Sequence, residues 1–292
     1  MINKNNKIGY SIEIFPPKET HTNLSIIRKI NDLTYKPDFI SVTYGAGGTS
    51  RERTYNLVKL IHTETDVSVA AHLTCVGSSI DETISLIDDY IRLGIKKIVA
   101  LRGDSNQPDD KIYKPHPLGF QKTSDLICNI KKLSDIELYV AGYPEKHPES
   151  KKTHDDILNL KGKLDSGGDF IITQYFFENS IFYNFQNILK KYNIKKPIIP
   201  GVIPIVNYDR IKDFSERCGA SIPERITKQF LNQKNSCENK NHLYDLATKL
   251  VVEQSLDLIR NKISQIHIYS LNQITLVDKI WCNILEQYNN DK

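Results

Sequence analysis

The chain has 292 residues, 39% hydrophobic and 25% charged, an ordinary globular composition with enough apolar material for a sizeable core. Its 39 basic and 35 acidic residues leave a net charge of +4, and no basic block with interleaved aromatics stands out, which argues against a nucleic-acid partner. The five cysteines (Cys75, Cys128, Cys218, Cys237 and Cys282) form no CxxC pair, and no segment approaches the roughly 20 apolar residues of a membrane span, so the expectation is a cytoplasmic protein in a reducing compartment, off the membrane and without a metal site.

In chain order, the first strand is predicted over 10–15 (YSIEIF) and a helix over 23–33. A strand over 39–43 (FISVT) and a helix over 51–63 follow, then a strand over 67–73 (VSVAAHL). The third helix, 80–93, has Ser79 and Asp81 at its start and Gly94 at its end, as a C-terminal glycine should stand. Strands over 97–101 (KIVAL), 137–141 (ELYVA) and 170–173 (FIIT) alternate with helices over 124–133, 155–166 (stopped by Gly167) and 181–191. The seventh strand, 198–202 (IIPGV), carries Pro200, which removes a ladder donor. A long connection, 207–261, leaves room for additional helices and a polar surface loop over 232–242, before the eighth strand over 265–269 (QIHIY). Strands alternating with helices eight times imply right-handed crossovers and a parallel sheet that closes into a (β/α)8 TIM barrel, here one catalytic domain spanning 1–292. An open doubly wound sheet would need a Gly-rich phosphate turn after an early strand, and Phe15-Pro16-Pro17 cannot make one.

In such a barrel the active site forms where strands run into their following loops. Those positions carry Glu13, Thr43-Tyr44-Gly45-Ala46, His72, Arg102-Gly103-Asp104, Tyr143-Pro144-Glu145, Gln174 and Asn272-Gln273. Polar, chemically able residues at nearly every strand end point to an enzyme. Glu13 sits between Ile12 and Ile14, so alternation sends it to the opposite face, the dry interior of a barrel, where desolvation would make it a general acid near neutral pH. The competing reading is a structural or outward carboxylate. Asp104 after Arg102-Gly103 also suits a tight turn with a local ion pair, and His72 in an apolar run also suits a hydrogen-bonded core histidine. Tyr175-Phe176-Phe177 either pack a loop start or wall a ring-shaped ligand. No nucleophile motif supports covalent hydrolase chemistry. A barrel aldolase or lyase acting on a phosphorylated substrate would want a Gly-rich loop after the seventh strand, and the prolines of 200–204 (PGVIP) suit that poorly. A non-catalytic barrel would be expected to have lost Glu13, Asp104 and Gln174, and all three are present.

SIEIFPPK (11–18) resembles the opening signature of methylenetetrahydrofolate reductases. SVTYGAGG (41–48), AHLTC (71–75), ALRGD (100–104), AGYPEKHPE (141–149), ITQYFF (172–177), IIPGVIPI (198–205) and HIYSLN (267–272) also resemble that family, in its order and at its spacing. The chain is similar to its compact bacterial form. The resemblance implies a homo-oligomeric flavoenzyme that binds FAD, takes a hydride from NADH or NADPH, and delivers it to methylenetetrahydrofolate to give 5-methyltetrahydrofolate for methionine synthesis. It assigns Glu13 as the proton donor that opens the imidazolidine ring at N10, and Asp104 as the group beside the flavin that stabilises the 5-iminium cation. Gln174 would orient the pterin and the nicotinamide, and Phe214 would pack on substrate. Thr43 would lie by the nicotinamide, with Tyr44, Ala46 and His72 beside the flavin. The remaining FAD contacts would be Arg102, Gly103, Tyr143, His147, Asp156, Asn159 and Lys163, the last facing the diphosphate.

Several positions depart from the family pattern. Gly162 stands where bacterial members carry Arg before the diphosphate lysine, so one phosphate contact is expected to be missing. A folate-binding Gln is replaced by Arg210, and an Arg after the Leu-Asn pair by Gln273. This reads as an exchange of charge between two substrate-facing positions, with Arg210 meeting the glutamate tail of folate. The family's Tyr-Ala pair before the fourth helix gives way to Lys122-Thr123, with Phe120 as the expected substitute.

Overall fold

The structure is a computed structural model that describes residues 8–19, 21–44, 48–103, 115–234 and 240–291. Strands β1 (Gly9–Ile14), β2 (Phe39–Val42), β3 (Val69–Thr74), β4 (Lys97–Leu101), β5 (Glu137–Gly142), β6 (Phe170–Tyr175), β7 (Ile198–Val202) and β8 (Gln265–Tyr269) close into a barrel in sequence order. Every neighbouring pair is parallel, and β8 closes on β1 with His267 opposite Ser11 and Tyr269 opposite Glu13. The connections hold α1 (Thr22–Asn31), α2 (Gly48–Glu64), α3 (Ile80–Leu93), α4 (Thr123–Leu133), α5 (Thr153–Asp165) and α6 (Asn179–Lys191). The long seventh connection holds α7 (Tyr208–Cys218), α8 (Glu224–Lys234) and α9 (Lys240–Arg260), and α10 (Ile274–Asn290) follows β8. The expected (β/α)8 barrel is observed.

Alternation divides each strand between two environments. On β1, Tyr10, Ile12 and Ile14 enter the core shared with the helices, and Tyr10 stacks on Trp281 of α10 with centroids 4.2 Å apart. Fully burying an isoleucine-sized side chain contributes roughly 1.5–3 kcal/mol, so this face fixes the strand's register. Ser11 and Glu13 are thereby turned into the barrel. The interior is filled by Phe39, Ala70, Val99, Tyr139, Ile172 and Ile199, with the Phe39 and Tyr139 rings 4.8 Å apart.

Local signals end the helices where they should. Ser79 caps α3 in a reciprocal box with Glu82, and Gly94 closes it in the left-handed conformation at φ 88°, a conformation that costs glycine little. Three strands run further than their composition suggested: β3 reaches Thr74, β5 reaches Gly142 and β6 reaches Tyr175, so Gln174 belongs to the strand itself. Pro200 does lie in β7, and the ladder accommodates it through a register irregularity between Ile172 and Tyr175 of β6. The Thr173 hydroxyl accepts from the Gly201 N–H at 2.9 Å, so a side chain helps to fasten the strand here.

Candidate active site

Glu13 lies inside the barrel near its C-terminal mouth, its side chain 24% exposed. Burial pushes its carboxyl up to about 8, so the acid is protonated at neutral pH. His72 of β3 points to the same place, its Nε2 3.7 Å from Glu13 Oε2. Burial pushes this imidazole down to about 3, which leaves the ring neutral. Below them His267 Nδ1 meets the Ser11 hydroxyl at 2.7 Å, and burial, then the nearby His72, push His267 down to about 3 as well. Tyr269 crosses the barrel and donates its hydroxyl to the Thr173 carbonyl at 2.8 Å. That crossing needs Gly201, because a Cβ there would come within 2.3 Å of the Thr173 oxygen and 2.5 Å of the Tyr269 ring.

The turn after β8 holds Glu13 from the backbone side. Ser270 donates its hydroxyl to the Glu13 carbonyl at 2.5 Å. Asn272 accepts from the Phe15 N–H and donates to the Phe15 carbonyl, both at 2.9 Å, so its amide acts as an extra ladder rung beyond the end of β1. Leu271 and Asn272 both take positive φ, 50° and 60°. Consecutive left-handed non-glycine residues are costly, and they persist only where surrounding contacts impose them.

A cleft of about 720 Å³ opens at the ends of β3, β4 and β5 and runs along α4 and α5, within the usual size range of small-molecule and cofactor sites. Tyr44, Arg102, Gly103, Tyr143, His147, Asp156, Asn159 and Lys163 all line it. Lys163 is half-buried and donates to the Ala141 carbonyl at 2.6 Å; desolvation lowers it to about 8, opposed by Asp156. Arg102 is held by Glu149 through two contacts of 2.5 and 2.7 Å, and that guanidinium keeps Glu149 below the usual carboxylate range. Asp156 accepts from the His147 backbone N–H at 3.1 Å, while the Tyr143 and His147 rings meet edge to face, 4.6 Å apart. Burial, then Arg102, lower His147. Gly103 sits at φ 88°, and any Cβ on it would meet Val76 at 2.5 Å. The Thr74 hydroxyl, which also lines the cleft, is buried without a hydrogen-bond partner.

Cations on the floor, aromatic walls and an orphan hydroxyl suit an anionic, ring-bearing ligand. Gly162 lines the cleft at a point where a Cβ would meet nothing within 4 Å, so the missing arginine leaves open space. Lys122 and Thr123 also line it. Phe120, expected as a cleft residue, does not line the cleft and is instead 4% exposed in the main core, where its apolar ring is removed from water.

Other expected positions are distributed around the mouth. The Thr43 carbonyl accepts from Thr54 at 3.0 Å. Gln174, on β6, accepts from the Tyr175 N–H at 3.0 Å. Phe214 on α7 has the Arg210 and Arg217 guanidinium carbons 5.2 and 5.4 Å from its ring centroid. Gln273 stands before α10 and accepts from the Tyr244 hydroxyl at 3.4 Å. Ala46 and Asp104 lie outside the described residues. The sequence reading overlooked Ser11, Thr74, Glu149, His267 and the Asn272 clamp. The period-2 pattern that turned Glu13 inward would have placed Ser11 and His267 there too, and Glu149 lies within the quoted AGYPEKHPE segment. Among the described residues, no cluster of three or more His, Cys, Asp or Glu could hold a metal ion, and no helix is long and apolar enough to cross a membrane.

Comparison with known proteins bears on this geometry. A family model described as methylenetetrahydrofolate reductase matches residues 1–285. The 5,10-methylenetetrahydrofolate reductase of Buchnera aphidicola subsp. Schizaphis graminum is 37% identical over 281 residues, covering 95% of this chain and 92% of that protein. The Escherichia coli K12 protein of the same name is 34% identical over 272 residues, covering 91% and 87%. Among solved structures, a protein from Clostridium thermocellum described as binding two copies of 5-methyl-5,6,7,8-tetrahydrofolic acid superposes with a TM-score of 0.59 at 18% identity, covering 97% of each chain. That likeness speaks to the fold.

Proposed function

Because the chain belongs to the methylenetetrahydrofolate reductase family, we propose that it reduces methylenetetrahydrofolate to 5-methyltetrahydrofolate, using FAD and NADH or NADPH. The observation that carries the reading is the placement of a carboxylic acid, Glu13, inside the barrel mouth 3.7 Å from the buried His72 imidazole, where burial raises its pKa. The residues present fit the flavin. Lys163 and Arg102 are cations for the diphosphate, and Tyr44, Tyr143 and His147 supply ring faces and edges. Gly103 lets the chain approach closely, and Asn159, Asp156 and the orphan Thr74 hydroxyl offer hydrogen bonds. When bound, FAD supplies the two-electron relay between the nicotinamide and the one-carbon unit of folate.

The chain's own residues supply the rest. Opening the five-membered ring breaks the bond between the one-carbon unit and N10, and the electron pair left on N10 needs a proton. Glu13 donates it at that atom and becomes a carboxylate, which is reprotonated from solvent before the next turnover. Asp104, which the family resemblance assigns to the flavin's side, would balance the positive charge that develops at N5. Gln174 orients the pterin, Phe214 packs against its extended portion, and Arg210 meets the glutamate tail. Thr43 and Gln174 border the nicotinamide.

The reading is tested by reconstitution. Purified protein titrated with FAD should give a tight stoichiometric complex with flavin absorbance, which bleaches anaerobically with NADH or NADPH and recovers colour on adding methylenetetrahydrofolate. Protein that folds but takes up no flavin would overturn it.

A further inference from the structure

We infer that His72 is a positioning residue for Glu13: its unprotonated Nε2 accepts a hydrogen bond from the protonated Glu13 carboxyl between turnovers and so holds the acid neutral and aimed. The inference rests on the proposed role of Glu13 as proton donor and assigns that donor a partner.

Three observations carry it. Nε2 of His72 is buried and has no hydrogen-bond partner, and a buried polar atom left unpaired costs about 1–3 kcal/mol. Glu13 Oε2 lies 3.7 Å away. Reaching hydrogen-bond range of about 3 Å takes only a small rotation of a carboxyl on a two-methylene arm. The surroundings also favour the neutral form of both groups. Among the described residues, the titratable groups around the pair are Tyr269 and His267, both from β8. Burial drives Tyr269 well above its ordinary value, keeping it a neutral phenol. Ser41 of β2, opposite Glu13 in the ladder, adds a buried hydroxyl without charge. No cation stands among these groups to draw the proton off Glu13; burial disfavours a charge on His72, and His267 is itself neutral and bonded to Ser11. With Nε2 as the unprotonated nitrogen of a neutral imidazole, the contact a neutral acid makes there is O–H to nitrogen.

The hydrogen bond explains how a half-buried donor can be both held and released. While the site is empty of folate, the proton is directed at His72. When folate presents N10, the carboxyl turns on its side-chain torsions and transfers the proton there, and His72 keeps its own proton on Nδ1 throughout. The ring therefore steers the acid and stores no charge.

Carboxyl-stretch infrared spectroscopy of the full-length protein without folate tests this, with the Glu13 band identified by its loss in Glu13→Gln. At pH 7 the wild type should show a protonated carboxyl whose band sits at the frequency of a hydrogen-bonded O–H. His72→Phe should move the band to higher frequency, and His72→Gln, which keeps an acceptor, should restore it. The nitrogen-15 spectrum of the wild type, which needs no His72 variant, should show Nε2 of His72 unprotonated at pH 7 and shifted by Glu13→Gln. A band unmoved in His72→Phe, a Glu13 ionised at pH 7, or an Nε2 that carries a proton would overturn the inference. Folate reduction that survives in Glu13→Gln would instead overturn the proton-donor reading, so the two failures are distinguishable.

Discussion

At the scale of single residues, charge placed against a ring face decides more than charge counted over the chain. Arg210 and Arg217 flank Phe214 on α7, and Arg210 is exposed and available to a carboxylate. Arg210→Ala should therefore raise KM for folate far more than KM for the nicotinamide, on the order of tenfold for an exposed charge-assisted contact. Steady-state kinetics with each substrate varied in turn checks it, and equal effects on both would count against the assignment. Alternation alone turned Glu13 inward, since its neighbours Ile12 and Ile14 are both buried in the outer core. The same alternation turned Ser11 and His267 inward, yet their hydrogen bond joins residues 256 positions apart. Only closure of β8 onto β1 creates that pair, so nothing local in the sequence announces it.

At the scale of elements, helix α5 carries an avoidable cost. Gly162 lies within Thr153–Asp165, and an interior helical glycine costs roughly 0.5–1 kcal/mol relative to alanine. Its Cβ position is empty to 4 Å. Gly162→Ala should stabilise the fold by about that amount while leaving flavin binding intact; a chemical denaturation curve shifted to lower denaturant would show that the open space is needed. Helix α3 was legible because its cap and stop are local chemistry, Ser79 with Glu82 and Gly94. Strand β7 was harder, because Pro200 argues against a paired strand. What keeps it in the barrel is the Thr173 hydroxyl bound to the Gly201 N–H, together with the pairing of Gly201 and Val202 with β8, neither visible in IIPGV itself. The extension of β6 to Tyr175 likewise follows from pairing, Tyr175 opposite Gly201, and not from the composition of the run.

At the scale of the whole molecule, the polar barrel interior sets a pH profile for stability. His72 and His267 are lowered from 6.5 to about 3, so below pH 6.5 the unfolded chain takes up two protons that the fold refuses. Glu13 is raised from 4.5 to about 8, so above pH 4.5 the fold retains one proton that the unfolded chain gives up. Between pH 4.5 and 6.5 the unfolded state thus binds one proton more in balance, and stability rises with pH by about 1.4 kcal/mol per unit. Between 6.5 and 8 the balance reverses and stability falls. These three groups place a maximum near pH 6.5, and Glu13→Gln should abolish the decline on its alkaline side, as denaturation curves across pH 5–9 would report.

The barrel as a whole was legible because eight apolar runs at helical spacing leave little choice of topology, and strand ends in a parallel barrel share one face. The exchange of Glu13's proton is the claim on which the functional account turns, and pre-steady-state kinetics of Glu13→Gln addresses it most directly. With the flavin-reconstituted variant, bleaching by NADH or NADPH should persist, while recovery of colour with methylenetetrahydrofolate should slow by roughly 10²–10⁴-fold, the usual worth of a positioned general acid. Recovery at the wild-type rate would contradict the account.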